Sequence, residues 1–158
     1  MVIRDAVIGD ASSACEAMRR SIAELCVADH SNDRQILDRW LANKTVETFA
    51  AWVARPDHSL LVAIEEGVVV CVGAVTDAGE ITLNYVSPDV RFRGVSRAMV
   101  RALEDRAASR GNLECRLLST ETAHRFYKAC GYLPNGSPQR TFGTGSGYPM
   151  KKYLSRSG

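Results

Sequence analysis

The sequence has no paired cysteines, no long apolar run and almost no net charge, and each absence excludes a class of protein. Its five cysteines are dispersed along the chain: Cys15, Cys26, Cys71, Cys115 and Cys130. An odd number without a Cys-x-x-Cys spacing favours neither a disulfide framework nor a zinc site and is typical of a reducing compartment. A net charge of +2 is too small to predict a nucleic-acid partner or an anionic membrane surface.

Membrane insertion and secretion are not predicted either. The longest apolar stretch, residues 68–75, contains Gly73 and fits a strand better than a membrane span. Arg4, Asp5 and Asp10 fall within the first ten residues, where a signal peptide needs an uncharged apolar region. We therefore expect a cytoplasmic protein.

Length and composition predict one globular domain over residues 1–158. Hydrophobic residues make up 46% of the chain and charged residues 24%, which is the balance of an ordinary soluble domain. None of the three histidines stands in a metal-ligand pattern with Cys, Asp or Glu, so we expect no metal.

Helical periodicity dominates the first third of the chain. Residues 2–6 fit a short strand, and Asp10 is placed to cap a helix that continues to Leu25. After a polar break at residues 28–32, Asn32 and Gln35 resemble a capping box for a second helix. A third helical segment carries Phe49 and ends near residue 55, before a proline.

From residue 59 the pattern changes to strands. Residues 60–65 and 68–76 predict a hairpin about Glu66-Gly67, and residues 80–86 predict a strand with Glu80, Thr82 and Asn84 on one face. A helix over 94–110, a strand over 113–118, a helix over 121–130 and a last strand over 148–154 follow. This order predicts an α/β (α+β layered) fold with a right-handed crossover.

One loop carries the strongest chemical signal. The strand ending at Val86 runs through Pro88 and Arg91 to Gly94, which opens a helix, so free backbone N–H groups and the positive helix end converge there. Such a loop can bind phosphate, although an ordinary turn with solvated arginines fits equally well. The second glycine and the Lys-Ser/Thr pair of a nucleoside-triphosphate loop are absent.

Two motifs in order resemble the GNAT superfamily of acyl-CoA N-acetyltransferases. Arg91-x-x-Gly94-x-Ser96 is similar to that family's Arg/Gln-x-x-Gly-x-Gly/Ala pyrophosphate loop. Residues 123–132, Ala-His-Arg-Phe-Tyr-Lys-Ala-Cys-Gly-Tyr, are similar to its Ala-x-x-Phe-Tyr-x-x-x-Gly-Phe segment. The first strand and helix also fit, so the resemblance covers nearly the whole chain. Ser96, where the family prefers Gly or Ala, and Thr120, where Asn is frequent, depart from the pattern.

The resemblance implies a mixed, mostly antiparallel central sheet with helices on both faces and splayed fourth and fifth strands. It implies acetyl-CoA as co-substrate, and a backbone N–H near Val86 to polarise the thioester carbonyl. The residues expected to bind the cofactor are Val86, Arg91, Phe92, Arg93, Gly94, Val95, Ser96, Arg97 and Thr120.

The same resemblance implies catalytic roles for Tyr127 and Glu80. Tyr127 occupies the family's general-acid position, where a phenol can return a proton to the leaving thiolate; a packing role is the alternative, although Phe126 is the better core candidate. Glu80 begins the fourth strand, where histone-acetylating members carry their base, and an exposed turn glutamate is the alternative. Cys130 lies at a helix C-terminus, which disfavours a thiolate nucleophile and leaves direct attack.

The acceptor side is less defined. Asn84 and His30 are the candidate substrate-binding residues, and His30 could also serve as a base or lie on the surface. We expect a primary amine on a small molecule or peptide, a solvated Lys44, and an exposed C-terminal strand that could support a homodimer. A non-catalytic CoA-binding sensor or regulatory protein of the same fold is the alternative function.

Overall fold

A computed structural model describes residues 1–141 and 143–155. Its core is a mixed sheet in the order β1-β2-β3-β4-β5-β8-β6, with β7 paired to β8. The strands are β1 (Val2–Asp5), β2 (His58–Glu65), β3 (Val68–Thr76), β4 (Glu80–Val86), β5 (Glu114–Ser119), β6 (Leu133–Pro134), β7 (Gln139–Arg140) and β8 (Ser146–Tyr153). Among these strands only the β4–β5 pairing is parallel.

Helices cover both faces of this sheet. They are α1 (Ala11–Leu25), α2 (Val27–His30), α3 (Arg34–Leu41), α4 (Val46–Ala54), α5 (Val95–Ser109) and α6 (His124–Ala129). Because side chains alternate along a strand, β2 directs Val62 towards α1 and α4 and Leu61 towards α5. The predicted fold class, a mostly antiparallel mixed sheet between helical layers, is confirmed.

Local turn chemistry accounts for the β2–β3 hairpin. Glu66 and Gly67 have φ angles of 51° and 76°, the left-handed values that a two-residue hairpin turn requires at both central positions. The hairpin therefore forms at the predicted residues, although Glu66 is not the glycine or asparagine that favours this conformation.

The splay between β4 and β5 is the feature that shapes the site. The two strands pair only at Glu80 with Arg116 and at Ile81 with Leu117, and they separate beyond that point. On the other edge of β4, Val75 pairs with Ile81 and Ala74 pairs with Leu83, so Thr82 is the extra residue of a β-bulge. The predicted divergence of the fourth and fifth strands is thereby confirmed.

Two predicted helix starts were wrong. Asn32 has a φ of 57°, and the N-cap of α3 is Asp33, whose Oδ1 accepts hydrogen bonds from the N–H groups of Gln35 at 3.0 Å and Ile36 at 3.2 Å. The last helix begins at His124 rather than at residue 121, since residues 121–123 form a turn. Sequence patterns locate helix ends only to within a few residues.

The expected solvation of Lys44 was also wrong, because only 6% of that residue is exposed. Cys15, Cys26, Cys71 and Cys115 are buried, where a thiol packs as a small hydrophobic side chain. Within residues 1–141 and 143–155, no helix is long and apolar enough to cross a membrane.

Candidate active site

A cleft of about 620 Å³ opens where β4 and β5 separate. Leu25, the last residue of α1, and the following Cys26 line it on one face of the sheet, and Phe126 and Tyr127 of α6 line it on the other. The cleft therefore passes through the sheet between the two strands. Its volume lies in the range of small-molecule sites, which is about 300–1,000 Å³.

One mouth of the cleft contains the predicted phosphate loop. Gly94, with a φ of 79°, is the N-cap of α5, and no side chain caps that helix end. The N–H groups of Val95, Ser96 and Arg97 lie in the first turn, where an α-helix offers no internal acceptor, and all three residues line the cleft. This end of α5 can accept an anion through the backbone and the helix dipole.

The arginines of the loop differ in their surroundings. Arg91 and Arg97 line the cleft; the Arg91 guanidinium lies 4.5 Å from the ring centre of Phe92, which also lines the cleft. Arg93 instead forms a 2.7 Å ion pair with Glu65 and is not among the lining residues. Arg125 of α6 lines the cleft as well, so three guanidinium groups are available for phosphate.

Tyr127 lies inside the cleft wall and is only 7% exposed. Burial raises the pKa of its phenol, and the side chain of Asn84 partly offsets that shift. Phe126 is less buried than Tyr127, so the expectation that Phe126 is the better core residue was wrong. A buried phenol with a raised pKa stays protonated and can donate a proton to a strong base formed beside it.

The β4 residues after the bulge form the floor of the cleft. Asn84 and Val86 both line it, and the Asn84 Oδ1 accepts from the Cys71 Sγ at 3.5 Å. The structure thus brings the predicted residues Asn84, Val86 and Tyr127 together with the loop. Strand β4 has no β5 partner here, so its edge can offer backbone donors to a bound group.

Glu80 is not part of this arrangement. It lies exposed at the start of β4, before the strands separate, and contributes with Arg116 and Gln139 to a different, shallow depression. Its position places no carboxylate next to Tyr127.

His30 is fully buried, at 0% exposure, and does not line the cleft. Its Nδ1 accepts from the N–H of Asn32 at 3.0 Å, so the ring proton is on Nε2, which donates to the carbonyl of Ile22 at 2.9 Å. Both nitrogens are used in holding the turn after α2. The expected surface position of His30 was wrong, and the geometry gives the ring no direct access to an acceptor.

Thr120 lines the cleft and also caps the turn before α6. Its Oγ1 accepts from the N–H of Ala123 at 3.2 Å. Next to it, the buried Asp29 carboxylate accepts from the N–H groups of Glu121 at 2.7 Å and Thr122 at 3.1 Å. The position of α6, and hence of Tyr127, depends on both of these side chains.

Sequence reasoning missed four residues on the α1 side of the cleft: Ser21, Leu25, Cys26 and Tyr85. Burial raises the pKa of the Cys26 thiol to about 12 and that of the Tyr85 phenol to about 12. Tyr85 is held by Trp40, whose Nε1 donates to its hydroxyl at 3.0 Å. Their helical or strand periodicity indicated burial and carried no signal of a cleft.

The comparison with protein-family models identifies the family to which this chain belongs. Residues 17–154 match the model of the Acetyltransferase (GNAT) domain, which is most of the chain. The chain belongs to the GNAT acetyltransferase family. A search of curated proteins gave no significant match.

Solved structures with the same fold include several acetyltransferases. The chain is similar to a GCN5-related N-acetyltransferase from Rhodopseudomonas palustris (26% identity, 97% of this chain and 95% of that one, TM-score 0.84). It is also similar to the PaiA N-acetyltransferase of Thermoplasma acidophilum in complex with coenzyme A (18% identity, 97% of this chain and 98% of that one, TM-score 0.83). A third similar structure is the aminoglycoside 6′-N-acetyltransferase from Enterococcus faecium (15% identity, 100% of both chains, TM-score 0.75).

Proposed function

We propose that this protein is an acetyl-CoA-dependent N-acetyltransferase in which a primary amine attacks the thioester directly. The supporting observation is the single cleft that joins the first turn of α5 to the buried Tyr127 through the gap between β4 and β5. Family membership and the CoA-bound structure of a protein with the same fold support coenzyme A as the ligand.

The cofactor's pyrophosphate fits the loop end of the cleft. The N–H groups of Val95, Ser96 and Arg97 and the guanidinium of Arg91 would hold it, and Gly94 lets the main chain approach closely because no Cβ intervenes. Within the gap, the unpaired edge of β4 after Thr82 would orient the thioester carbonyl and stabilise its developing negative charge.

Tyr127 is the proposed general acid. The amine nitrogen forms a bond to the carbonyl carbon, the carbon–sulfur bond breaks, and the leaving thiolate takes a proton from the phenol. The tyrosinate then recovers a proton released by the new amide nitrogen. Because burial raises its pKa, Tyr127 is protonated at neutral pH and ready for this role.

The base is not assigned to a side chain. Glu80 and His30 lie away from Tyr127, and among the described residues no Asp, Glu or His lines the cleft. We therefore propose that the acceptor enters as the free amine and that its proton leaves through water.

The test is acetyl transfer by the wild type and by the variant Tyr127→Phe. We expect kcat to fall by about 100-fold or more, the usual contribution of a general acid, while the Kd for CoA and the melting temperature change little. Tyr153→Phe, which alters a 63% exposed tyrosine, is the matched control and should keep full activity.

A CoA-binding protein without catalysis gives a different result. Such a protein binds CoA in calorimetry yet releases no free thiol with any amine in a broad panel. A Tyr127→Phe variant with wild-type kcat would remove Tyr127 from the mechanism while leaving the enzyme assignment in place.

A further inference from the structure

The charges around the cleft bear on the acceptor, which the fold leaves open because one fold serves many acceptors. Among the described residues, three side chains with formal charge line the cleft, and all are arginines: Arg91, Arg97 and Arg125. Within residues 1–141 and 143–155, no carboxylate lines it. This inference rests on the proposed function, since it concerns the second substrate of the same site.

Two carboxylates lie close to the cleft and are occupied by the protein. Asp29 Oδ1 accepts from the N–H of Glu121 at 2.7 Å, and its Oδ2 accepts from the N–H and the hydroxyl of Thr122 at 3.1 Å and 2.5 Å. Glu121 accepts from the N–H of Ser146 at 3.0 Å and from the hydroxyl of Tyr148 at 2.8 Å. Both are therefore committed to holding loops together.

Acidic side chains near the loop and the end of α1 are engaged in surface ion pairs. Arg20 pairs with both Asp89 at 2.8 Å and Glu24 at 3.0 Å, and Arg93 pairs with Glu65 at 2.7 Å. Because Arg20 serves two carboxylates, that cluster keeps a net negative charge, but neither of its acids nor Glu65 lines the cleft.

The α1 side of the cleft is instead mostly apolar. Leu25, Cys26 and Tyr85 form most of this wall, with Ser21 as its one hydroxyl from α1, and the Tyr85 hydroxyl accepts from the Trp40 Nε1. The loop that would hold the cofactor belongs to the α5 and α6 side, so the amine approaches the thioester along the α1 wall. An apolar wall favours a hydrocarbon chain and penalises a second ammonium, which would lose water without gaining a counter-ion.

We propose that the acceptor is a primary amine on an uncharged, largely apolar body, and that polycationic amines such as polyamines and aminoglycosides are excluded. The single positive charge of such an acceptor disappears when it is deprotonated for attack, so the cleft never has to hold a buried cation. Discrimination comes from the apolar α1 wall and from the missing carboxylate, since the guanidinium groups of the cleft are assigned to the cofactor phosphates.

The experiment compares three amines of one chain length: hexylamine, 6-amino-1-hexanol and 1,6-diaminohexane. Calorimetry measures the Kd of each for the protein saturated with CoA, and a free-thiol assay measures kcat/KM with acetyl-CoA. We expect hexylamine to be favoured over the diamine by about tenfold or more in both quantities, with the amino alcohol between them.

A designed carboxylate tests whether the missing acid causes the preference for hexylamine over the diamine. Leu25→Glu places an acid on the α1 wall and should shift the ratio of kcat/KM for hexylamine to that for the diamine by about tenfold in favour of the diamine. Leu25→Gln has the same size without the charge, and it should change this ratio by less than about threefold from the wild-type value. Equal or tighter binding of the diamine to wild type overturns the proposal, and so does the absence of binding by all three amines. If hexylamine binds selectively but no thiol is released, the acceptor preference stands and the proposed catalysis fails.

Discussion

Lys44 shows what burial does to a single charged residue. Its Nζ donates to the Asn43 Oδ1 at 2.6 Å and to the carbonyl of Trp40 at 3.4 Å, and it lies 5.8 Å from the centre of the Tyr85 ring. None of these groups is a carboxylate. Burial consequently lowers the pKa of Lys44 to about 8, from an unfolded value near 10.4.

This shift predicts how stability changes with pH. Between about pH 8 and 10.5 the unfolded chain binds the lysine proton and the folded chain does not, so the free energy of unfolding rises with pH in that window. Below pH 8 the folded protein bears a penalty of about 3 kcal/mol. Lys44→Met removes it and should be more stable than wild type at pH 7, with the difference shrinking towards pH 10.

Urea unfolding of both proteins at pH 7, 8, 9 and 10 measures the difference. Subtracting the variant cancels every other titrating group. Arg34→Met, which changes a largely exposed side chain, is the control and should give a difference independent of pH. A Lys44→Met difference that grows with pH would contradict the assigned burial effect.

At the scale of elements, Asp29 joins three segments that are distant in the chain. Its carboxylate holds the turn before α6, 92 residues away, and its backbone carbonyl accepts from the N–H of Thr144 at 2.7 Å. Position 145, which packs against Asp29 and Glu121, requires glycine, because a Cβ there would lie 2.7 Å from the Glu121 Cβ and 3.0 Å from the Asp29 Oδ1. One residue of the short helix α2 thus ties the turn before α6 to the loop at Thr144.

Asp29→Asn should therefore lower the free energy of unfolding by about 1–3 kcal/mol, because the amide keeps one acceptor oxygen and turns its NH₂ towards a donor. Hydrogen exchange of the α6 amides should accelerate in parallel. Asp33→Asn is the matched control, since an asparagine N-cap still accepts from Gln35 and Ile36. Equal stability of Asp29→Asn and Asp33→Asn would show that the three-segment link carries no energy.

The elements that the sequence predicts well are those specified by neighbours in the chain. The bounds of β4 and the hairpin at Glu66-Gly67 agree with the prediction because alternation and turn geometry are local. The role of Asp29 and the burial of Lys44 and His30 depend on partners supplied by the tertiary fold, so local patterns could not reveal them. The candidate cofactor loop was predicted from a motif, which is local too.

Across the whole molecule, the described residues supply no titrating base to the cleft. Both ring nitrogens of His30 have backbone partners, His58 Nε2 lies 2.6 Å from the carbonyl of Trp52, and His124 stacks on Tyr148 at 3.7 Å. The sequence prediction of Glu80 as base rested on its position in a family pattern. Strand β4 begins at Glu80 before it separates from β5, and that geometry leaves the carboxylate on another surface.

This absence predicts an unusual pH dependence for the proposed reaction. If the amine alone must lose its proton, kcat/KM rises about tenfold per pH unit up to the pKa of the acceptor itself. The break should lie near pH 8 for a peptide α-amine and near pH 10 for an alkylamine, following their ordinary pKa values. Tyr127 adds no falling limb below pH 10, because burial raises its pKa and keeps it protonated.

The measurement is kcat/KM from pH 6 to 10 with two acceptors whose pKa values differ by about two units. A break that moves with the acceptor identifies the amine as the titrating group. A common break near pH 6 to 7 for both acceptors would instead reveal a base on the protein, and Glu80→Gln would then decide whether that base is Glu80. Because kcat/KM reports free enzyme and free substrate, the acceptor pKa can be read directly from the profile.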